Sequence, residues 1–168
     1  AVPEGDLSFP PAPSARYHVR MPRRRAVTVA LVSLGCAKNL VDSEKLLAHL
    51  AEGGCVVGAP MDEAEVIVVN TCGFLEAARR ESLEAIAEAV GQKRRGRARR
   101  VVVAGCLASR DGRELYAAVP GIDALVGVGS RADILAAVTG RGRCTRLAPP
   151  EGGELDDAGR FRLTPRHT

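Results

Sequence analysis

Cys36, Cys72 and Cys106 each stand just past an apolar, β-branched run, where a strand would hand over to a helix. The runs cover residues 27–32, 66–69 and 101–104. In an open α/β sheet the carboxyl ends of the strands form the edge at which ligands bind. Three thiols spaced roughly 35 residues apart would therefore converge on one rim, and a three-thiolate cluster site is the chemistry that this pattern points to. Cys55 precedes the short run Val56-Val57, which puts it at the opposite, amino end of a strand. Cys144 falls in an Arg/Gly-rich segment beyond the last periodic element. A single free cysteine is most often a small buried hydrophobe. Three in equivalent topological positions ask for another explanation.

The spacing discriminates among the centres that thiolates hold. Structural zinc sites use close C-x-x-C knuckles and four ligands, and no C-x-x-C pair occurs in this chain. An iron-sulfur core bridges widely spaced thiolates itself, and a 4Fe-4S cube with three protein thiolates leaves one iron open to an exchangeable sulfur or substrate atom. A disulfide framework fits least. The odd count of five cysteines and the lack of a signal-peptide pattern lead us to expect a reducing cytoplasm.

The elements that must position these thiols alternate strand and helix. Asp42 and Ser43 are expected to cap a helix carrying Leu46, Leu47 and Leu50 and ending at Gly53-Gly54. A second helix, over about residues 75–90, places Leu83, Ile86, Ala87 and Val90 at helical spacing, with Glu76 and Arg80 as an outer i, i+4 pair. A shorter helix follows Cys106 and closes at Pro120-Gly121. A last strand is expected near residues 122–126, then a helix opened by Ser130 with Asp133 in a capping-box position.

Alternating units of this length imply right-handed crossovers. The fold class is α/β: a doubly wound, mostly parallel sheet of four or five strands with helices on both faces, flavodoxin-like or Rossmann-like. No G-x-G-x-x-G follows the first strand, and Gly127-Val128-Gly129 is too short a fragment of it to argue for a nucleotide. With 3% aromatics and no Trp, the core must be built from Val, Leu, Ile and Ala, which suits a parallel sheet covered on both faces. At 168 residues a single core can bury roughly 70% of the unfolded surface. No run approaches the ~20 apolar residues of a membrane helix, so no membrane partner is expected.

The ends differ from the middle. Residues 1–24, with the cluster Pro10-Pro11-Ala12-Pro13, show neither periodicity and read as disordered or as an extension upstream of Met21. Residues 25–140 form the domain. Residues 141–168 read as a linker, acidic and Gly-rich over residues 149–159.

The segments around the cysteines carry a resemblance. Ser33-Leu34-Gly35-Cys36-Ala37-Lys38-Asn39-Leu40-Val41-Asp42-Ser43-Glu44, Asn70-Thr71-Cys72-Gly73-Phe74 and Gly105-Cys106-Leu107 resemble the amino-terminal domain of the radical-SAM methylthiotransferases. The likeness runs from about Arg25 to Val138. It is greatest to the branch that modifies an aspartate of a small-subunit ribosomal protein, whereas the tRNA adenosine methylthiotransferases more often show Gln-Met where Ala37-Lys38 stands here.

The resemblance implies that Cys36, Cys72 and Cys106 hold a 4Fe-4S cluster. Asn39 and Asn70 match family positions beside the first two cysteines, where each could orient a loop, donate to a cluster sulfur or serve as an ordinary turn or cap. The resemblance also implies a radical-SAM core, with a second 4Fe-4S cluster and S-adenosylmethionine on a C-x-x-x-C-x-x-C motif, beginning shortly after a segment like residues 163–168. These 168 residues contain no such motif, so the chain reads as an isolated amino-terminal domain or a shortened reading frame, inactive alone and monomeric. Its ribosomal-protein partner would be met through the other domains.

The basic residues invite a second partner. Arg23-Arg24-Arg25 and the run from Lys93 to Arg100, with six basic residues, contribute to a formal net charge of +4 and would allow a weak, salt-dependent RNA contact. Without interleaved aromatics, solvated surface arginines are the simpler account. Lys38 reads as a solvated loop lysine, and neither His18 nor His49 is assigned to the site. The alternative of a different class is a nonenzymatic α/β interaction domain whose thiols are merely buried.

Overall fold

The computed structural model describes residues 25–148, so the expectations for residues 1–24 and 149–168 lie outside the described residues. Six strands form one sheet in the order β2-β1-β3-β4-β5-β6, every neighbouring pair parallel. They are β1 (Thr28–Ser33), β2 (Val56–Val57), β3 (Val66–Thr71), β4 (Arg100–Gly105), β5 (Ala124–Val126) and β6 (Cys144–Arg146). The helices are α1 (Ala37–Glu52), α2 (Glu76–Arg95), α3 (Cys106–Asp111), α4 (Leu115–Ala118) and α5 (Ile134–Thr139). Short 3-10 turns over Gly112–Glu114 and Val128–Asp133 lead into α4 and α5.

The β-branched runs form the sheet because it is covered on both faces. Successive side chains of a strand point to opposite sides, and the two cores follow that alternation. Ile67, Val69, Val101, Val103 and Leu125 pack with Ile86, Ala89 and Val90 of α2, Leu107 of α3 and Leu115 of α4. Val29, Val66, Val68, Val102, Ala124 and Val126 pack on the other face with Leu46 and Leu50 of α1 and with Ile134, Ala137 and Val138 of α5. This is the doubly wound α/β architecture. Its first five strands have the flavodoxin-like order, in which the winding direction reverses between β1 and β3. No helix among the described residues is long and apolar enough to cross a membrane.

Several local expectations need correction. The sheet has six strands, not four or five, and β6 extends it past the boundary placed at residue 140. Cys144 therefore opens a strand, bonded through its N–H to the Asp123 carbonyl at 2.9 Å, instead of lying beyond the ordered elements. Helix α1 starts at Ala37, with Cys36 as an extended N-cap whose side chain makes no cap bond; Ser43 lies inside the helix and is buried. Ser130 does not open a helix: it lies within the 3-10 turn, and its hydroxyl accepts from the Ala148 N–H at 2.8 Å. Helix α2 runs to Arg95, Ala89 instead of Ala87 faces its core, and Glu76 meets Arg79 at 3.7 Å, not Arg80.

Candidate functional site

The parallel sheet sorts the five cysteines by edge. Cys36 follows β1, Cys72 follows β3 and Cys106 follows β4, so all three lie at the carboxyl edge, the first two flanking the point where the winding reverses. Cys55 precedes β2 and Cys144 begins β6, both at the amino edge. All five are free thiols. Cys72 is buried, Cys106 half-buried and Cys36 exposed, so the rim opens to solvent on the Cys36 side.

Two glycines let the rim loops close on each other. Gly35 has φ +90°, and a Cβ there would stand 2.4 Å from Cys72 Cβ and 2.8 Å from Cys72 Sγ, so only the bare backbone admits the Cys72 side chain. Gly105 has φ +94°, and its missing Cβ would lie 2.5 Å from Asn70 Oδ1 and 2.6 Å from the Thr71 carbonyl. The third loop meets the others at Gly73, where a Cβ would come within 3.2 Å of the Leu107 backbone nitrogen, next to Cys106. The end of β3 and its loop thus touch each of the other two loops beside their cysteines.

Polar side chains beneath the rim tie these loops to the sheet. Asn39 donates through Nδ2 to the Leu34 carbonyl and, at 3.1 Å, to the Asn70 carbonyl. Asn70 answers by donating to the Asn39 carbonyl at 3.1 Å and to Ser43 Oγ at 2.8 Å, and Ser43 in turn donates to Ser33 Oγ at 2.7 Å. Both asparagines are buried, with their side-chain nitrogens engaged inside the protein and their Oδ1 atoms without a hydrogen-bond donor. Cys72 is held from α2: Ser82 Oγ accepts from its N–H at 3.1 Å and donates to its carbonyl at 2.8 Å. Arg110 donates to the Gly73 carbonyl at 2.7 Å, and Arg79 pairs with Asp111 at 3.0 Å, which binds α2 to the end of α3.

The sequence marks Ser43 as a cap and gives no sign of the roles of Ser82 and Arg110. The positive-φ glycines preceding Cys36 and Cys106 were the readable signal.

The thiols differ electrostatically. The backbone N–H of Asn39 draws the Cys36 thiol below its ordinary value; desolvation opposes this, while the N–H groups of Lys38 and Cys36 and the Lys38 charge assist it. This is the effect of exposed N–H groups at a helix start. Cys106 is pushed up, first by burial and then by the neighbouring Cys72 thiol, with Asp42 and Cys36 adding and Lys38 opposing. Burial also raises Cys55. Lys38 is exposed in the first turn of α1, and its charge reaches both Cys36 and Cys106. His49 is exposed and meets the Ala132 carbonyl at 3.2 Å, away from the rim.

Among the described residues no three Cys, His, Asp or Glu side chains stand in the geometry of a single metal ion. An iron-sulfur core keeps its protein sulfurs farther apart than one ion would, because the inorganic atoms lie between them. A donor set of free thiols alone, without carboxylate or imidazole, is soft and suits such a centre. The rim residues fit the cluster on donor chemistry.

The protein family described as Uncharacterized protein family UPF0004 matches residues 28–127, which takes in all three rim cysteines and the loops between them. The chain belongs to the UPF0004 family. A curated relative from Symbiobacterium thermophilum, named ribosomal protein uS12 methylthiotransferase RimO, is 42% identical over 147 residues, covering 86% of this chain and 30% of the relative. A relative of the same name from Streptomyces avermitilis is 50% identical over 107 residues, covering 64% of this chain and 21% of the relative. Another from Koribacter versatilis is 43% identical over 129 residues, 77% of this chain and 26% of the relative. The resemblance of the cysteine segments to methylthiotransferases agrees with these names. The UPF0004 chain spans less than a third of the length of these relatives.

Proposed function

We propose that this domain holds a 4Fe-4S cluster on Cys36, Cys72 and Cys106 within an enzyme that adds a methylthio group to the β carbon of an aspartate in ribosomal protein uS12. The observation that carries the reading is topological: the rim thiols follow three adjacent parallel strands of the region that matches the family. When bound, the cluster supplies an iron without a protein ligand, open to an exchangeable sulfur atom.

The chain's own residues prepare that rim. The N–H groups at the start of α1 favour the Cys36 thiolate. Ser82 and Arg110 fix the loop that presents Cys72. Asn39 and Asn70 act as positioning residues, because their side chains cross-link the loop after β1 to the end of β3. The exposed side of Cys36 leaves a way in for the reacting partner.

The radical step requires a second cluster and S-adenosylmethionine, and no C-x-x-x-C-x-x-C motif is present in these 168 residues. Alone, the chain neither cleaves that cofactor reductively nor methylthiolates a substrate. A ribosomal-protein substrate sets this work in the cytoplasm. The test offers the full-length protein carrying this domain, without oxygen, both uS12 and a tRNA bearing isopentenylated adenosine. Mass spectrometry should find the methylthio group on the uS12 aspartate. Modification of the tRNA alone would move the protein to the tRNA branch, and modification of neither would remove the methylthiotransferase reading.

A further inference from the structure

The opposite edge of the sheet carries an unassigned pocket. It has a volume of about 790 Å³ and is lined in part by Arg25, Arg99, Arg100, Arg141, Gly140 and Asp123. Arg100, the first residue of β4, is only 6% exposed. Its Nε donates to the Ala137 carbonyl at 2.6 Å and its Nη1 to the Gly142 carbonyl at 2.8 Å. Its Nη2 is buried with no hydrogen-bond partner and lies beside Gly140, and both residues line the pocket.

A guanidinium cannot shed its proton to escape such a setting, and buried charges are ordinarily paired. Two carbonyls solvate this one without neutralising it. The nearby carboxylates are already engaged. Asp123 pairs with Lys93 and accepts from the Val101 N–H, while Glu65 pairs with Arg99 and accepts from the Thr28 N–H. Arg25 and Arg141 add exposed positive charge at the mouth. Arg94 and Arg95, which end α2, and Arg97, which follows it in the connection to β4, are exposed as well.

The geometry points to a phosphate-binding site at the amino edge, in which a phosphate group in the pocket balances the Arg100 charge and is held by Arg25 and Arg141. Guanidinium forks match the oxygens of phosphate. The volume exceeds what a bare oxyanion fills and falls in the range of small-ligand clefts, so the phosphate belongs to a larger molecule, a nucleotide or a nucleic-acid backbone. The site is separate from the thiol rim, and nothing in the methylthiotransferase reading depends on it.

The experiment has two arms, run on the 168-residue chain and on an Arg25→Ala/Arg141→Ala variant whose changes are confined to exposed side chains. Thermal unfolding is followed against inorganic phosphate, with chloride at equal ionic strength as the reference. Binding of a short single-stranded RNA is followed by fluorescence anisotropy at several salt concentrations. Saturable stabilisation by phosphate is expected, weakened roughly tenfold in apparent affinity in the variant. The general salting effect of phosphate remains equal in both proteins and cancels. RNA binding whose salt dependence becomes shallower in the variant identifies a nucleic-acid backbone as the source; a phosphate response without RNA binding identifies a small molecule. A variant that responds to phosphate and RNA like the parent chain, or a parent chain that binds neither, overturns the site. Arg100→Met, if it folds, should lose the phosphate response as well.

Discussion

The two edges of this sheet are built from the same strands and treat their polar groups in opposite ways. At the carboxyl edge, the loop after β3 packs against those after β1 and β4 at Gly35, Gly73 and Gly105, and buried amides cross-link the first two beneath the thiols. At the amino edge the packing is mixed: a Cβ at Gly54 or Gly142, with φ +84° and +73°, would meet nothing within 4 Å, whereas Gly121, at φ +119°, lies against the Val90 side chain. The charge there is mostly arginine, and one of these arginines, Arg100, is buried with no ion pair among the described residues. A parallel sheet gives each edge a chemical character because every strand enters on one side and leaves on the other. At the thiol edge the positive-φ glycines Gly35 and Gly105 each stand against the neighbouring strand end or its loop.

Substituting glycines at the two edges should break this comparison if it is wrong. Gly105→Ala suffers both an unfavourable φ and a Cβ against two oxygen atoms, and should cost about 4 kcal/mol in chemical denaturation. Gly142→Ala has the strained φ without the collision and should cost about 1–2 kcal/mol. Equal costs would show that the close approach at Gly105 does not constrain the rim. Next in size, Asn70→Ala removes donors to the Asn39 carbonyl and Ser43 Oγ, and a loss of about 2 kcal/mol is expected. A neutral result would mean that the amide ties do not hold the rim.

The smallest effect concerns reactivity. In protein without a cluster, Cys36 is exposed and its thiol is held below the ordinary value, whereas Cys106 is half-buried and pushed up. As pH rises, Cys36 becomes thiolate first, so its alkylation should begin at lower pH and run roughly tenfold faster than that of Cys106. Peptide mapping after a brief pulse of alkylating reagent at several pH values checks the order. Faster labelling of Cys106 would contradict the electrostatic ranking of the rim.

The strands that place the thiols were legible because a sheet covered on both faces demands continuous apolar runs, and β1, β3 and β4 are such runs. The placement of Cys55 at the amino edge followed from the same reasoning. What escaped was structure held by partners distant in sequence. Strand β6 is Cys-Thr-Arg, with no apolar run, and exists through its pairing with β5. Ser43 and Ser130 looked like helix caps because a hydroxyl near a helix start usually serves the backbone. Here Ser43 serves Ser33 and Asn70, while Ser130 serves Ala148. The run from Lys93 to Arg100 read as solvated surface, yet Lys93 and Arg99 are ion-paired and Arg100 is buried. Charge in a sequence does not announce burial, whereas β-branching announces a strand.

The central claim is that the edge of the sheet decides which cysteines hold the cluster. Its most direct test is iron and sulfide content after anaerobic reconstitution of the chain and its five single Cys→Ala variants. The unaltered chain should hold about four iron and four sulfide. Cys36→Ala, Cys72→Ala and Cys106→Ala should each retain far less, and Cys55→Ala and Cys144→Ala should match the unaltered chain. Full retention in the three rim variants, with loss in Cys55→Ala or Cys144→Ala, would contradict the account.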